Sequence, residues 1–179
     1  MTSEGIQRSR DPLKQTINPH PPLEYLRQTM MRYIHTNIVA RDWKKLAEFY
    51  KDVFDCVEVL PERDLSGQWL DHATGLRGTR IKGVHLRLPG YGDEGPTLEI
   101  FQYSDMLPHR EVKSNTPGLT HLAFAVDDVR EARGRVVGMG GGTVGDVVNV
   151  EIPGYGAIEF AYVTDPEENI IEIQRATSI

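Results

Sequence analysis

Four residues of this chain occupy matching places in two similar halves: His35, Glu99, His121 and Glu172. His35 lies in Ile34-His35-Thr36-Asn37-Ile38-Val39 and His121 in Thr120-His121-Leu122-Ala123-Phe124-Ala125. Glu99 lies in Leu98-Glu99-Ile100-Phe101 and Glu172 in Ile171-Glu172-Ile173-Gln174. A histidine or carboxylate inside an apolar strand costs free energy unless it is paired or coordinated. Strand neighbours alternate faces, so each glutamate points opposite to the apolar residues beside it. If the two halves curl toward each other, two imidazoles and two carboxylates line one concave surface. That mixed N/O set suits one divalent ion per site, Zn, Ni, Co, Mn or Fe. It contains no thiolate, which argues against a closed structural zinc site.

The elements that must position these residues follow from the hydrophobic pattern. Residues Met1 to about Pro22 are polar, proline-bearing and aperiodic, which predicts a flexible arm over residues 1–30, with a short amphipathic helix around Leu23–Met30. The domain then spans residues 31–179. Arg32–Ala40 reads as a buried strand, and Trp43–Phe54 as an amphipathic helix capped by Asp42. A strand at Cys56–Leu60 follows, then an unclear stretch, Asp64–Gly75, with a helical turn around Trp69. Strands at Thr79–Leu88 and Thr97–Ser104 complete the first half. After a linker at about Asp105–Pro117 the order restarts. Leu119–Val126 is a strand, and Asp127–Val137 a helix capped by Asp127 or Asp128 and ended by Gly138, Gly140, Gly141 and Gly142. Strands are then expected at Val144–Ile152, Ala157–Thr164 and Ile170–Gln174. The repeated order predicts an α+β fold of two tandem βαβββ modules, at about 32–104 and 118–175.

Composition narrows the function classes. The 179 residues are 39% hydrophobic and 26% charged, with a net charge of −6, which suits a globular domain. The acidic balance argues against a nucleic-acid surface or an anionic membrane surface. Cys56 is the only cysteine, so no intrachain disulfide forms. With no transmembrane-length apolar run and no secretory signal, a cytoplasmic location is expected. The remaining histidines, His20, His72, His85 and His109, lack the symmetry of His35 and His121 and are expected to be exposed or locally hydrogen-bonded.

The paired modules with His35, Glu99, His121 and Glu172 resemble the vicinal oxygen chelate superfamily, which includes glyoxalase I, methylmalonyl-CoA epimerase, extradiol dioxygenases and bleomycin- or fosfomycin-resistance proteins. The resemblance covers about Arg32 to Ile173. It is carried by Gly118-Leu119-Thr120-His121-Leu122-Ala123-Phe124-Ala125-Val126-Asp127-Asp128, similar to the family's second-module opening, and by Asp165-Pro166-Glu167-Glu168-Asn169-Ile170-Ile171-Glu172, similar to its closing turn and strand. The family usually has glycine where Glu168 stands, so a non-glycine residue must make that turn. The resemblance implies a curved mixed sheet around a metal-binding cup, a small-molecule substrate and a homodimer. It further implies that a substrate presents two neighbouring oxygens to the metal, that an enediolate is stabilised there, and that Glu172, with Glu99 as a second candidate, transfers the proton.

The His/Glu/His/Glu set is similar to the glyoxalase I pattern, whereas an extradiol dioxygenase would need a non-ligating residue at 99. Glyoxalase I enzymes hold the glutathione carboxylates from positions that here are Val39, Tyr103 and Pro117, none of them charged. Arg80, Lys82 and Arg87 lie along one strand as candidates for an anionic substrate, and Trp69, Tyr103 and Tyr155 as pocket walls. Three functions are therefore expected to compete. The first is a metal-dependent lyase or isomerase of the glyoxalase I type, acting on a small α-oxo or α-hydroxy carbonyl compound. The second is an acyl epimerase like methylmalonyl-CoA epimerase. The third is a non-catalytic protein that sequesters a drug-like molecule.

Overall fold

A computed structural model describes residues 31–177, of which those from Ile34 onward form one compact unit. The expected N-terminal arm and the helix around Leu23–Met30 lie outside the described residues. Within the compact unit the strands are β1 (His35–Val39), β2 (Val57–Ser66), β3 (Arg80–Arg87), β4 (Thr97–Tyr103), β5 (His121–Ala125), β6 (Gly142–Thr143), β7 (Val148–Ile152), β8 (Gly156–Thr164) and β9 (Ile170–Thr177). The helices are α1 (Trp43–Phe54), α2 (Gln68–Thr74) and α3 (Val129–Gly138).

The α+β class and the two modules stand. The strands form two mixed sheets, ordered β1-β4-β3-β2 and β5-β9-β8-β6, with β7 also paired to β8. In each module the first strand runs parallel to the last, β1 to β4 and β5 to β9. The other ladders are antiparallel. A cleft of about 180 Å³ lies between Thr36–Val39 and Leu119–Leu122.

Three local differences from the sequence expectation have physical causes. β2 continues past Leu60 to Ser66 because a register irregularity between Val59 and Arg63 carries the ladder across Pro61, which has no amide to donate. The stretch from Gln68 is a full helix, α2, whose Leu70 packs on Ile81 and Phe101. The strand expected at Val144–Ile152 is shortened to β7, Val148–Ile152, while the preceding Gly142 and Thr143, where glycines were expected to end the helix, pair with the far end of β8 as β6.

The core lies on the helix-bearing sides of the sheets. Asp42 caps α1 by accepting from the Lys45 amide at 3.1 Å, and the helix buries Trp43, Leu46, Ala47, Phe49, Tyr50, Val53 and Phe54. These pack against Val84, Leu86, Leu98 and Ile100 of the first sheet and meet Ile171, Ile173 and Val163 of the second in one cluster. Phe54 stacks on Phe124 with ring centroids 4.2 Å apart. The Tyr50 hydroxyl donates to Asp165 at 3.0 Å. Asp165 also accepts from the amides of Glu167 and Asn169, each at 2.9 Å, and so ties the closing turn of module two to α1 of module one. Burial pushes the Asp165 carboxyl up, against these hydrogen bonds, which lower it. The turn is completed by Glu168 at φ 72°, so the residue in the usual glycine place itself adopts the left-handed conformation.

Candidate metal centre

The face of each sheet opposite the core carries the polar residues. In module one, alternation puts His35, Asn37 and Val39 of β1 on the same face as Thr97, Glu99, Phe101 and Tyr103 of β4. The parallel register sets Asn37 beside Glu99 and His35 one step diagonal to it. His35 Nε2 lies 3.4 Å from Glu99 Oε2, with the imidazole 42% exposed and the carboxylate 14% exposed. Module two repeats the arrangement. Ala123 is beside Glu172, His121 is diagonal to it, and His121 Nε2 lies 3.3 Å from Glu172 Oε2. The four sequence-predicted ligands thus come together as two pairs.

Each pair has the spacing of two donors on one ion. Donors about 2.1 Å from a metal lie roughly 3.0 Å apart at adjacent octahedral positions and roughly 3.4 Å apart in a tetrahedron. His35 with Glu99 and His121 with Glu172 therefore each fit one edge of a coordination shell. Among the described residues, no group of three or more His, Cys, Asp or Glu side chains is arranged to hold a metal ion. Each module presents one such His–Glu pair.

Register adds a neighbour to each glutamate that sequence symmetry did not single out. His85 of β3 is directly opposite Glu99, with Nε2 3.2 Å from Oε1. Tyr162 of β8 is directly opposite Glu172. His85 is thus half-buried and locally hydrogen-bonded, with Thr97 Oγ1 3.4 Å from its Nδ1, and the polar face it stands on is the site face. Burial holds its imidazole below the usual histidine range, opposed by the Glu99 charge. The Tyr162 phenol is raised, first by burial and then by the charge of Glu172. The signal that could have found both is strand parity: each stands on the face of its glutamate.

The other expected site residues divide. Arg80 and Lys82 are two residues apart and share a face with the buried Val84 and Leu86, opposite to His85, so they point away from Glu99. Arg80 is instead paired with Asp64 at 2.7 Å. Arg87 is on the site face, opposite Thr97, and pairs with Asp93 at 2.8 Å. Tyr103 is also on that face. Trp69 opens α2 and Tyr155 lies in the turn before β8, both largely exposed. His109 of the linker pairs with Glu168 of the closing turn of module two at 3.1 Å.

Beyond Glu99 the site face becomes apolar. Gly83 has no side chain because a Cβ there would come 2.0 Å from the Ile100 carbonyl oxygen and 2.5 Å from the Phe101 ring. Phe101 packs with Ile81 and with Leu70 of α2, and Leu65 and Tyr103 flank them. At this end opens a cleft of about 740 Å³ whose walls include Val39, Tyr103, Leu76, Met106, Arg77 and Arg41. Arg41 is held by Glu167 at 2.7 Å.

The chain belongs to the Glyoxalase/Bleomycin resistance protein/Dioxygenase superfamily, whose family profile matches residues 32–173. Among solved structures it is similar to a glyoxalase family protein from Bacillus cereus, with 19% identity and a TM-score of 0.66 over 83% of this chain and 94% of that one. It is also similar to a glyoxalase I variant from Zea mays, with 19% identity and a TM-score of 0.58, covering 87% of this chain and 48% of that one. A fosfomycin resistance protein from Listeria monocytogenes shares 18% identity at a TM-score of 0.50, over 83% and 94% of the two chains. A search of curated protein sequences found no match. At these identities the structural likeness shows the fold. No helix among the described residues is long and apolar enough to cross a membrane.

Proposed function

We propose that this protein is a metal-dependent lyase or isomerase of the glyoxalase I type, acting on a small α-oxo or α-hydroxy carbonyl compound through an enediolate. The observation that carries this reading is the repeated His–Glu pair, at equivalent register in both modules and at 3.3–3.4 Å in each. Each module offers one repeat-related His–Glu pair, and in this reading the full set of His35, Glu99, His121 and Glu172 is completed by a second copy of the chain. Module one of one protomer then faces module two of its partner in a homodimer, as closed two-fold assemblies allow.

A divalent ion held by these residues would acidify the C–H beside a chelating carbonyl and neutralise the oxyanion left when the proton departs. Glu172 is the carboxylate suited to take that proton and return it to the neighbouring carbon. Both oxygens of Glu99 face imidazoles, Oε2 toward His35 and Oε1 toward His85, whereas Glu172 has one imidazole neighbour. Tyr162 stands directly opposite Glu172 on the neighbouring strand. The cleft beside Val39 and Tyr103 lies along the same strands, about 13 Å from His35 and Glu99 at four residues of strand rise. It gives room for the non-reacting part of a substrate, with mainly uncharged walls near the strands.

The test is metal content by elemental analysis of untagged protein, followed by solvent deuterium incorporation into α-oxo and α-hydroxy carbonyl compounds. The expected result is one divalent ion per chain, lost in His35→Ala, and exchange of the C–H next to the carbonyl. A protein that takes up no metal on reconstitution would overturn the enzymatic reading and leave a sequestering binder in its place. Exchange with inversion at carbon and no rearranged product would favour the epimerase.

A further inference from the structure

We infer that His85 is the positioning residue of the module-one half-site, fixing the Glu99 carboxylate so that a single oxygen is presented beside His35. This rests on the reading of His35 and Glu99 as metal ligands.

Each Glu99 oxygen has its own imidazole. Oε2 lies 3.4 Å from His35 Nε2, and Oε1 lies 3.2 Å from His85 Nε2. The ring of His85 is held on its other nitrogen by Thr97, whose Oγ1 is 3.4 Å from Nδ1. With the threonine hydroxyl donating to Nδ1, the proton of a neutral imidazole sits on Nε2, the nitrogen that lies 3.2 Å from Glu99 Oε1. The His85 ring also meets the edge of Phe101 at a centroid distance of 5.7 Å, which limits its swing. The backbone of Glu99 is fixed as well, since its carbonyl accepts from Asn37 Nδ2 at 3.3 Å. Stem and one oxygen are thereby both tied down, and only Oε2 remains to face an ion.

Module two supports the same role independently. At the equivalent register position, opposite its glutamate, stands Tyr162, whose hydroxyl is also able to donate. Two different side chains at one structural position share one capacity, donation to the carboxylate opposite. Groups that hold a ligand in this way govern how well the ligand binds metal without touching the ion themselves.

The test is a Co²⁺ and Zn²⁺ titration of the full chain as wild type, His85→Phe, His85→Gln and His35→Ala, with melting of each metal-free protein as the folding control. His85→Phe is expected to lose about 10- to 100-fold in metal affinity, with unchanged stoichiometry and an unchanged Co²⁺ absorption spectrum at saturation. His85→Gln, which keeps an N–H donor of similar reach, is expected to recover most of that loss. Equal affinity in wild type and His85→Phe would overturn the positioning role while leaving the metal site standing. A saturated Co²⁺ spectrum that changes in both His85 variants would make His85 a ligand instead, which also overturns the inference. A wild type that binds no metal would overturn the site itself, a result distinct from either.

Discussion

The two modules place a histidine and a glutamate by the same ladder geometry, yet they surround the pair differently. In module one, Glu99 stands between His35 and His85, with Asn37 beside it. In module two, Glu172 stands between His121 and Tyr162, with Ala123 in place of Asn37. Module one also carries α2 over the far end of its site face, closing Phe101 and Ile81 from solvent. The helices differ too: α1 buries seven residues, whereas α3 buries only Val129, Ala132 and Val136. A duplicated frame has thus kept the ladder that delivers two donors per module. What differs is the environment that would make one carboxylate a fixed ligand and the other a proton carrier.

The sharpest way to break this comparison is to neutralise each glutamate in turn. Glu172→Gln is expected to lower turnover by about 100- to 10,000-fold, the range for removing a positioned general base. Glu99→Gln should act mainly through weaker metal binding and recover activity when metal is raised. Steady-state rates across a metal titration separate the two, and equal, metal-insensitive losses would erase the proposed division of labour.

The helices give the next largest contrast. Leu46 of α1 and Val136 of α3 are both fully buried. Leu46→Ala should cost about 3–5 kcal/mol through lost burial and a residual cavity. Val136→Ala should cost about 2 kcal/mol, since fewer methyl groups leave the core. Urea unfolding would measure both, and a larger loss in α3 would contradict the view that α1 anchors the shared core.

The join between modules should respond to pH. Burial raises the Asp165 carboxyl in the folded state, so its protonated form favours folding. That stability is fully present below the unfolded aspartate value and is lost as pH rises through the folded one. The stability of the wild type relative to Asp165→Asn should therefore fall between pH 4 and pH 7, by about 1.4 kcal/mol for each unit of upward shift. Paired urea melts at the two pH values check the sign, and a difference that grows with pH would refute it.

Much of this frame was legible in the residues themselves. Asp42 and Phe54 bound α1 as expected because an N-cap carboxylate and a strong apolar stripe give unambiguous local signals. The four repeat-related residues were legible because duplication turns two weak signals into one pattern. Other features depended on pairing across strands, which one sequence does not display. Arg80 and Arg87 look alike as neighbouring cations, but an odd spacing puts them on opposite faces, and only Arg87 shares the face of Glu99. His85 and Tyr162 carry no repeat signature, since their types differ, and only the register with Glu99 and Glu172 reveals their common position. The continuation of β2 past Pro61 was hidden for a related reason, because the irregularity that allows it belongs to the ladder with β3.

The central claim, that two half-sites from different copies make one metal centre, is tested most directly by complementation. His35→Ala and His121→Ala chains carrying different tags would be co-refolded, the mixed dimer isolated, and its metal counted. Each parent homodimer should be empty. The mixed dimer should hold about one ion, because one of its two shared sites unites an intact module one with an intact module two. An empty mixed dimer, beside a fully loaded wild type, would show that each site lies within a single chain and would contradict the account.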